Sequence, residues 1–134
     1  MIVIDANVFL ASVLKDEMHE AAREYSDAIL AGSMRSIVPS IFRYEVANAF
    51  LMSLRRQRIS ESVYQRFITL TVQFPIHVDE DQKLGDVAAL AARRKLTIYD
   101  ATYVELAKRR NIPLATFDKA MMRSAREENI SLLF

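Results

Sequence analysis

Four carboxylates stand where chemistry is open to them: Asp5 at the end of "IVID", Glu45 in "IFRYEVANAF", Asp100 in "TIYDATYVELAKRR" and Asp118 in "LATFDKA". Two neutral oxygen carriers accompany them, Asn7 two residues past Asp5 and Thr116 two before Asp118. Carboxylates held close together repel one another and resist ionisation unless a cation neutralises them. The chain has no cysteine and only two histidines, His19 and His77, with no partner at ligand spacing. Thiolate metal sites, disulfides and a cysteine nucleophile are therefore excluded. What remains is a hard divalent cation held by oxygen, Mg2+ or Mn2+. Asn7 and Thr116 suit the task of orienting the carboxylates or a water beside the ion.

The elements that must position these groups alternate between strand and helix. Ile2-Val3-Ile4 is a β-branched apolar run that reads as a strand over 2–5, buried on both faces, with Asp5 at its carboxyl end. A helix over 6–14 follows, then one over 16–31 that Gly32 should stop. A strand over 36–38 leads to a helix running to about 57, with Ser40 as its cap and Ile41, Phe42, Val46, Ala49, Phe50 and Leu54 at helical spacing. Ser60 caps the next helix, to about 72. A strand over 76–78, helices over 81–94 and 97–110, a strand over 113–116, a helix over 118–128 and a last strand over 131–133 complete the expectation. This is an α/β order, with a short parallel sheet covered by helices on both faces. In such sheets ligands bind outside the carboxyl ends of the strands, near a switch in strand order. Asp5 and Asp118 both follow strands.

Each acid also has an ordinary explanation. Asp5 and Asp118 are favoured helix caps, and Asp100 completes a capping box with Thr97. Glu45 is favoured near a helix start by the dipole, and Thr116 suits a strand end. Glu45, however, lies one turn from Ile41 and Ala49, beside an apolar stripe where an unpaired charge is costly. None of these separate explanations accounts for acids recurring at the strand ends and helix starts of one sheet edge.

"IVIDANVFLA", "VPSIFRYEVANAF" and "LTIYDATYVELAKRRNIPLATFDKAM", in this order, resemble the PIN domain, and within it the VapC-type toxin ribonucleases. The likeness spans nearly the whole chain; residues 96–121 are its most specific part, and no acid of the pattern is missing. The resemblance implies a three-layer α/β/α sandwich and a metal-dependent endoribonuclease. It makes Asp5 and Asp100 the principal Mg2+ ligands, with Mn2+ as an alternative ion. Glu45 becomes a further ligand or a water-orienting carboxylate, and Asp118 a fourth acid available to a second ion. All four are thereby catalytic, hydrolysing RNA phosphodiesters by in-line attack of a metal-activated water. The resemblance also implies a toxin–antitoxin pair and a homodimer.

With 134 residues the chain is sized for one domain, residues 1–134, and 51% hydrophobic with 26% charged residues is an ordinary globular balance. No apolar run approaches a membrane span and no leader is evident, which fits a cytoplasmic protein. Net charge is +1, too little to announce a nucleic-acid binder. Basic residues nevertheless cluster at 55–58, 93–95 and 108–110, where helix-end complementarity competes with phosphate contact as an explanation. Arg43, two residues before Glu45, is the better candidate for touching substrate. The helices around 41–57 and 60–72 carry Phe42, Tyr44, Phe50, Leu51, Met52, Tyr64, Phe67, Ile68 and Leu70, more apolar groups than one buried face needs. The excess suits a groove for an antitoxin segment. Two other readings compete. One is a PIN-type RNA-processing nuclease without an antitoxin. The other is a non-nuclease Mg2+-binding signalling module, for which the chain lacks a convincing acceptor aspartate and strand-end lysine.

Overall fold

The structure, a computed structural model, describes residues 1–16 and 18–134. Residue 17 falls within the helix expected over 16–31, and that part of the expectation lies outside the described residues.

The Ile2-Val3-Ile4 run forms β1 (Ile2–Ile4), all three residues buried. β1 pairs in parallel with β2 (Ser36–Pro39) on one side and β4 (Leu114–Ala115) on the other, and β3 (His77–Asp79) extends the sheet beyond β2. The order β3-β2-β1-β4 is parallel throughout. The chain steps outward from β1 to β2 and β3, then returns to β1's other side with β4. β1 is thus where the order reverses, and its carboxyl end opens onto the crevice that such a reversal creates.

Helices supply the other layers. α1 (Ala6–Val13) packs with α2 (Glu20–Leu30) and α3 (Phe42–Arg55), and α3 packs in turn with α4 (Glu61–Gln73). α6 (Ile98–Arg110) lies against β1, β2 and β4, with α5 (Leu84–Arg94) and α7 (Lys119–Glu127) packed on it. The protein is a three-layer α/β/α sandwich. α6 is buried along most of its length, from Ala101 through Tyr103, Val104, Leu106 and Ala107, as befits a helix laid on the sheet. Among the described residues no helix is long and apolar enough to cross a membrane.

Local signals set several boundaries as expected. Gly32 adopts φ 73° just past α2, a conformation that favours glycine. Ser60 accepts a hydrogen bond from Val63 N–H, and Thr97 accepts one from Asp100 N–H, each capping its helix.

Other boundaries need correction. Ser40 does not cap α3; Ile41 stands at the cap position without a side-chain bond. α2 starts at Glu20, because His19 is extended, gives its N–H to Ala11 O and packs its ring, tilted, against Phe117. α5 starts at Leu84 rather than near 81, because the preceding segment is fastened to α6. Gln82 donates to Thr102 O and Glu105 there, and Asp81 pairs with Arg110. The last expected strand is a single bridge from Leu132 to Leu114.

Two of the three basic clusters are structural. Arg109 and Arg110 grip Asp79, whose side chain is fully buried, at 2.5 and 2.6 Å, and Arg109 also meets Glu105 at 2.7 Å. Burial alone would raise the Asp79 pKa, but the bonds and charges of the two arginines outweigh it and hold the carboxyl below its usual range. Glu128 gathers Lys108, Arg93 at 2.9 Å and Arg94 at 2.6 Å. Its pKa falls to about 2 because those bonds overcome the opposing effect of burial.

Candidate active site

β1 delivers Asp5 to the crevice, and the adjoining β4 carries the group that holds it there. Asp5 is only 4% exposed, and although it occupies the cap position of α1 its side chain makes no capping bond. Instead Thr116, just past β4 and equally buried, donates its hydroxyl hydrogen to Asp5 Oδ2 at 2.8 Å. The same hydroxyl oxygen accepts Asp118 N–H at 3.0 Å. Thr116 therefore ties the end of β1 to the start of α7 and fixes one lobe of the Asp5 carboxylate, leaving the other lobe for the crevice.

α3 and α6 bring the next two acids. Glu45, in the first turn of α3, is half-buried, and Asp100 lies in the first turn of α6. Thr97 caps α6, but among the described residues no reciprocal hydrogen bond returns from the Asp100 carboxylate, so half of the expected capping box is absent. Asp5, Glu45 and Asp100 border one open cleft of about 290 Å³ together with Asn7, Asn48 and the apolar wall of Ala6, Leu10 and Ala49.

The electrostatics of this cleft are those of crowded acids. Asp5 is pushed up to about 6, chiefly by burial, with the charges of Glu45 and Asp100 adding to the rise while Thr116 and the Asn7 backbone amide oppose it. Burial likewise raises Glu45, and Asp100 contributes. Tyr103, one turn beyond Asp100 on α6, donates its hydroxyl hydrogen to Glu45 Oε2. Burial and that carboxylate drive the phenol upward, so Tyr103 stays a neutral donor.

Asp118 stands apart from these three. Its carboxylate accepts Met121 N–H at 2.8 Å and caps α7, and it does not line the cleft. Arg43 also departs from its expected place. Its guanidinium donates to Thr71 O at 3.2 Å, Phe74 O at 3.3 Å and Val72 O at 3.4 Å, closing the carbonyl end of α4 instead of facing the acids.

Tyr103 and Asn48 were absent from the sequence reading. A signal for both existed, since each lies three residues after an acid, on the same helical face as Asp100 and Glu45 respectively.

The donor set of the cleft is carboxylate and amide oxygen, with neither sulfur nor imidazole, and that is the set a hard divalent cation takes. Among the described residues no three His, Cys, Asp or Glu side chains are drawn into a ready metal-binding group. Asp5 and Glu45 each accept a hydroxyl hydrogen, from Thr116 and Tyr103 respectively.

No curated protein matches the chain by sequence. Among solved structures, PAE2754 from Pyrobaculum aerophilum is similar with a TM-score of 0.72 and 25% identity, over 92% of this chain and 83% of that one. FitAcB from Neisseria gonorrhoeae superimposes with a TM-score of 0.60 at 17% identity, over 100% and 97% of the two chains. FitAB bound to an IR36 DNA fragment does so with a TM-score of 0.65 at 17% identity, over 99% and 94%. At 17% identity the last two likenesses speak for the fold alone. The PIN domain family matches residues 2–127, nearly the whole chain, and with an all-parallel sheet that delivers Asp5 to the crevice at its switch point, this protein belongs to the PIN domain family.

Proposed function

We propose that the protein is a Mg2+-dependent endoribonuclease and the toxin of a toxin–antitoxin pair. The observation that carries the nuclease reading is the meeting of Asp5, Glu45 and Asp100, from three separate elements, at one cleft outside the carboxyl end of β1. PIN domains are a nuclease family, and the acids of this cleft are ones to which the sequence resemblance assigns metal binding. Asp5 and Asp100 would hold the ion, with Mn2+ as a substitute, and Glu45 would complete the set. The Asp118 carboxylate caps α7, while its backbone N–H joins the Thr116 hydroxyl that holds Asp5. When bound, such an ion neutralises charge on the phosphoryl oxygens and makes water more acidic.

The chain's own residues do the positioning. Thr116 keeps Asp5 in one orientation, and Tyr103 does the same for Glu45. Asn7 and Asn48, both exposed at the cleft, offer amide groups to water or to the sugar–phosphate backbone. No protein nucleophile is needed, in keeping with the lack of cysteine.

The toxin assignment rests on the resemblance to VapC-type ribonucleases. A groove between the end of α1 and α4 supports it, with Val13, Leu14, Val63 and Phe67 as floor and Lys15 and Arg66 among its lining. An antitoxin segment with apolar and acidic groups would fit there, and the working unit would be a cytoplasmic homodimer.

The test is induced expression followed by mapping of RNA 5′ ends, alongside calorimetric Mg2+ titration of the purified protein. Discrete new ends and Mg2+ binding, both lost in Asp5→Asn and Asp100→Asn, are expected. Cleavage that survives either substitution while still requiring metal discards the ligand assignment.

A further inference from the structure

A second groove adjoins the acidic cleft and shares two of its walls. It is lined by Ile41, Tyr44, Glu45, Asn48 and Tyr99, so that Glu45 and Asn48 face both spaces. Tyr44 is 80% exposed and Tyr99 62%, although large aromatic rings are ordinarily withdrawn from water. They come from the starts of different helices, α3 and α6, and meet at a groove that opens beside the acids.

From this juxtaposition we infer that Tyr44 and Tyr99 form a stacking platform for an unpaired nucleobase of single-stranded RNA, next to the phosphate held at the acids. The inference rests on the nuclease reading and specifies its substrate as unpaired RNA. The groove has no cationic lining residue, and Arg43 nearby is committed to the carbonyls of α4, so it is not built to take a phosphate. Flat neutral rings suit a base, because every base has a π-face and stacking tolerates sequence. Asn48 stands between the two spaces with an amide that can both donate and accept, as a base edge requires. A duplex hides its bases in the stack and cannot use such a platform.

The experiment measures fluorescence anisotropy of labelled single-stranded oligoribonucleotides on the Asp5→Asn protein, in which cleavage is blocked. Partner probes are a duplex of the same sequence and an oligomer with abasic positions. Tyr44→Ala and Tyr99→Ala should each weaken single-strand binding roughly tenfold, and Tyr→Phe should restore it. The abasic oligomer should bind weakly and ignore these substitutions. Both side chains are largely exposed, so the fold is retained, which circular dichroism verifies. Unchanged affinity in the alanine variants overturns the platform, as does equal loss for the abasic oligomer. Dissociation of an oligomer on Tyr→Ala substitution, seen by sedimentation, also overturns it by assigning the rings to a second copy of the chain. If the otherwise unsubstituted protein neither binds nor cuts RNA, the nuclease reading itself fails; RNA cleavage indifferent to both tyrosines removes the platform alone.

Discussion

Tyr103 hands its hydroxyl hydrogen to Glu45 across a separation of 58 residues, joining α6 to α3 at the wall of the acidic cleft. This bond opposes the rise that burial and Asp100 impose on the Glu45 pKa. Tyr103→Phe keeps the buried ring and deletes only the donor. Glu45 should then ionise at higher pH, moving the acidic limb of the pH–activity profile upward. Activity at pH 6 should fall about tenfold, with a smaller loss at pH 8. A pH–rate profile of RNA cleavage for both proteins checks this, and an unshifted limb refutes it.

Asp5 carries a stability cost set by its burial. Its folded pKa of about 6 lies above the ordinary 3.8, so the native state disfavours the charged form. The metal-free protein should lose stability as pH rises from about 4 through 6, and the penalty should be complete above that. Asp5→Asn removes the charge while keeping an acceptor for Thr116. In chelator at pH 8 it should be more stable than the parent by about 1–2 kcal/mol, with no difference at pH 4. Added Mg2+ should raise the melting temperature of the parent and not of the variant. Calorimetry of both proteins at pH 4 and at pH 8, in chelator and in Mg2+, decides it.

Thr116 is expected to act more gently on catalysis than the acids it supports. Thr116→Val leaves Asp5 Oδ2 and Asp118 N–H without their shared partner. Losing a buried hydroxyl of this kind costs about 1–3 kcal/mol. Cleavage should drop less than in Asp5→Asn, and Thr116→Ser should recover most of both properties. Denaturant melts paired with cleavage rates provide the measurement.

Glu128 contributes stability of the opposite pH sense. Its folded pKa of about 2 lies below the ordinary 4.5, so its contribution is complete above 4.5 and disappears as pH falls toward 2. Glu128→Gln leaves Arg93, Arg94 and Lys108 repelling one another. It should cost about 2 kcal/mol at pH 7 once solvent screening of the exposed partners is allowed for. The deficit should shrink in molar salt and close near pH 2, as thermal melts across pH and salt would show.

How far the molecule could be read in advance depended on the range of each interaction. The caps at Ser60 and Thr97 are written within three residues of chain, and both formed as read. Alternation of strand and helix gave the parallel sheet, and the acids' places at strand and helix ends put Asp5, Glu45 and Asp100 together. Contacts between distant segments were not legible. Nothing local tells that Arg43 closes α4, that Arg109 and Arg110 seek Asp79, or that Tyr103 meets Glu45. The late start of α5 belongs to the same class, since Asp81 and Gln82 are drawn to α6 by side chains far along the chain.

The clasp on Asp79 reaches further than its own ion pairs. α6 carries Asp100 at one end and Arg109 and Arg110 at the other, about 15 Å away along the helix. Bolted at its foot, the helix is a rigid lever whose tip carries an acid, so slack at the anchor becomes misalignment at the acidic cleft. Evolution is therefore less free to alter Arg109 or Asp79 than their remoteness would suggest, and inactivating substitutions should turn up there as well as in the cleft.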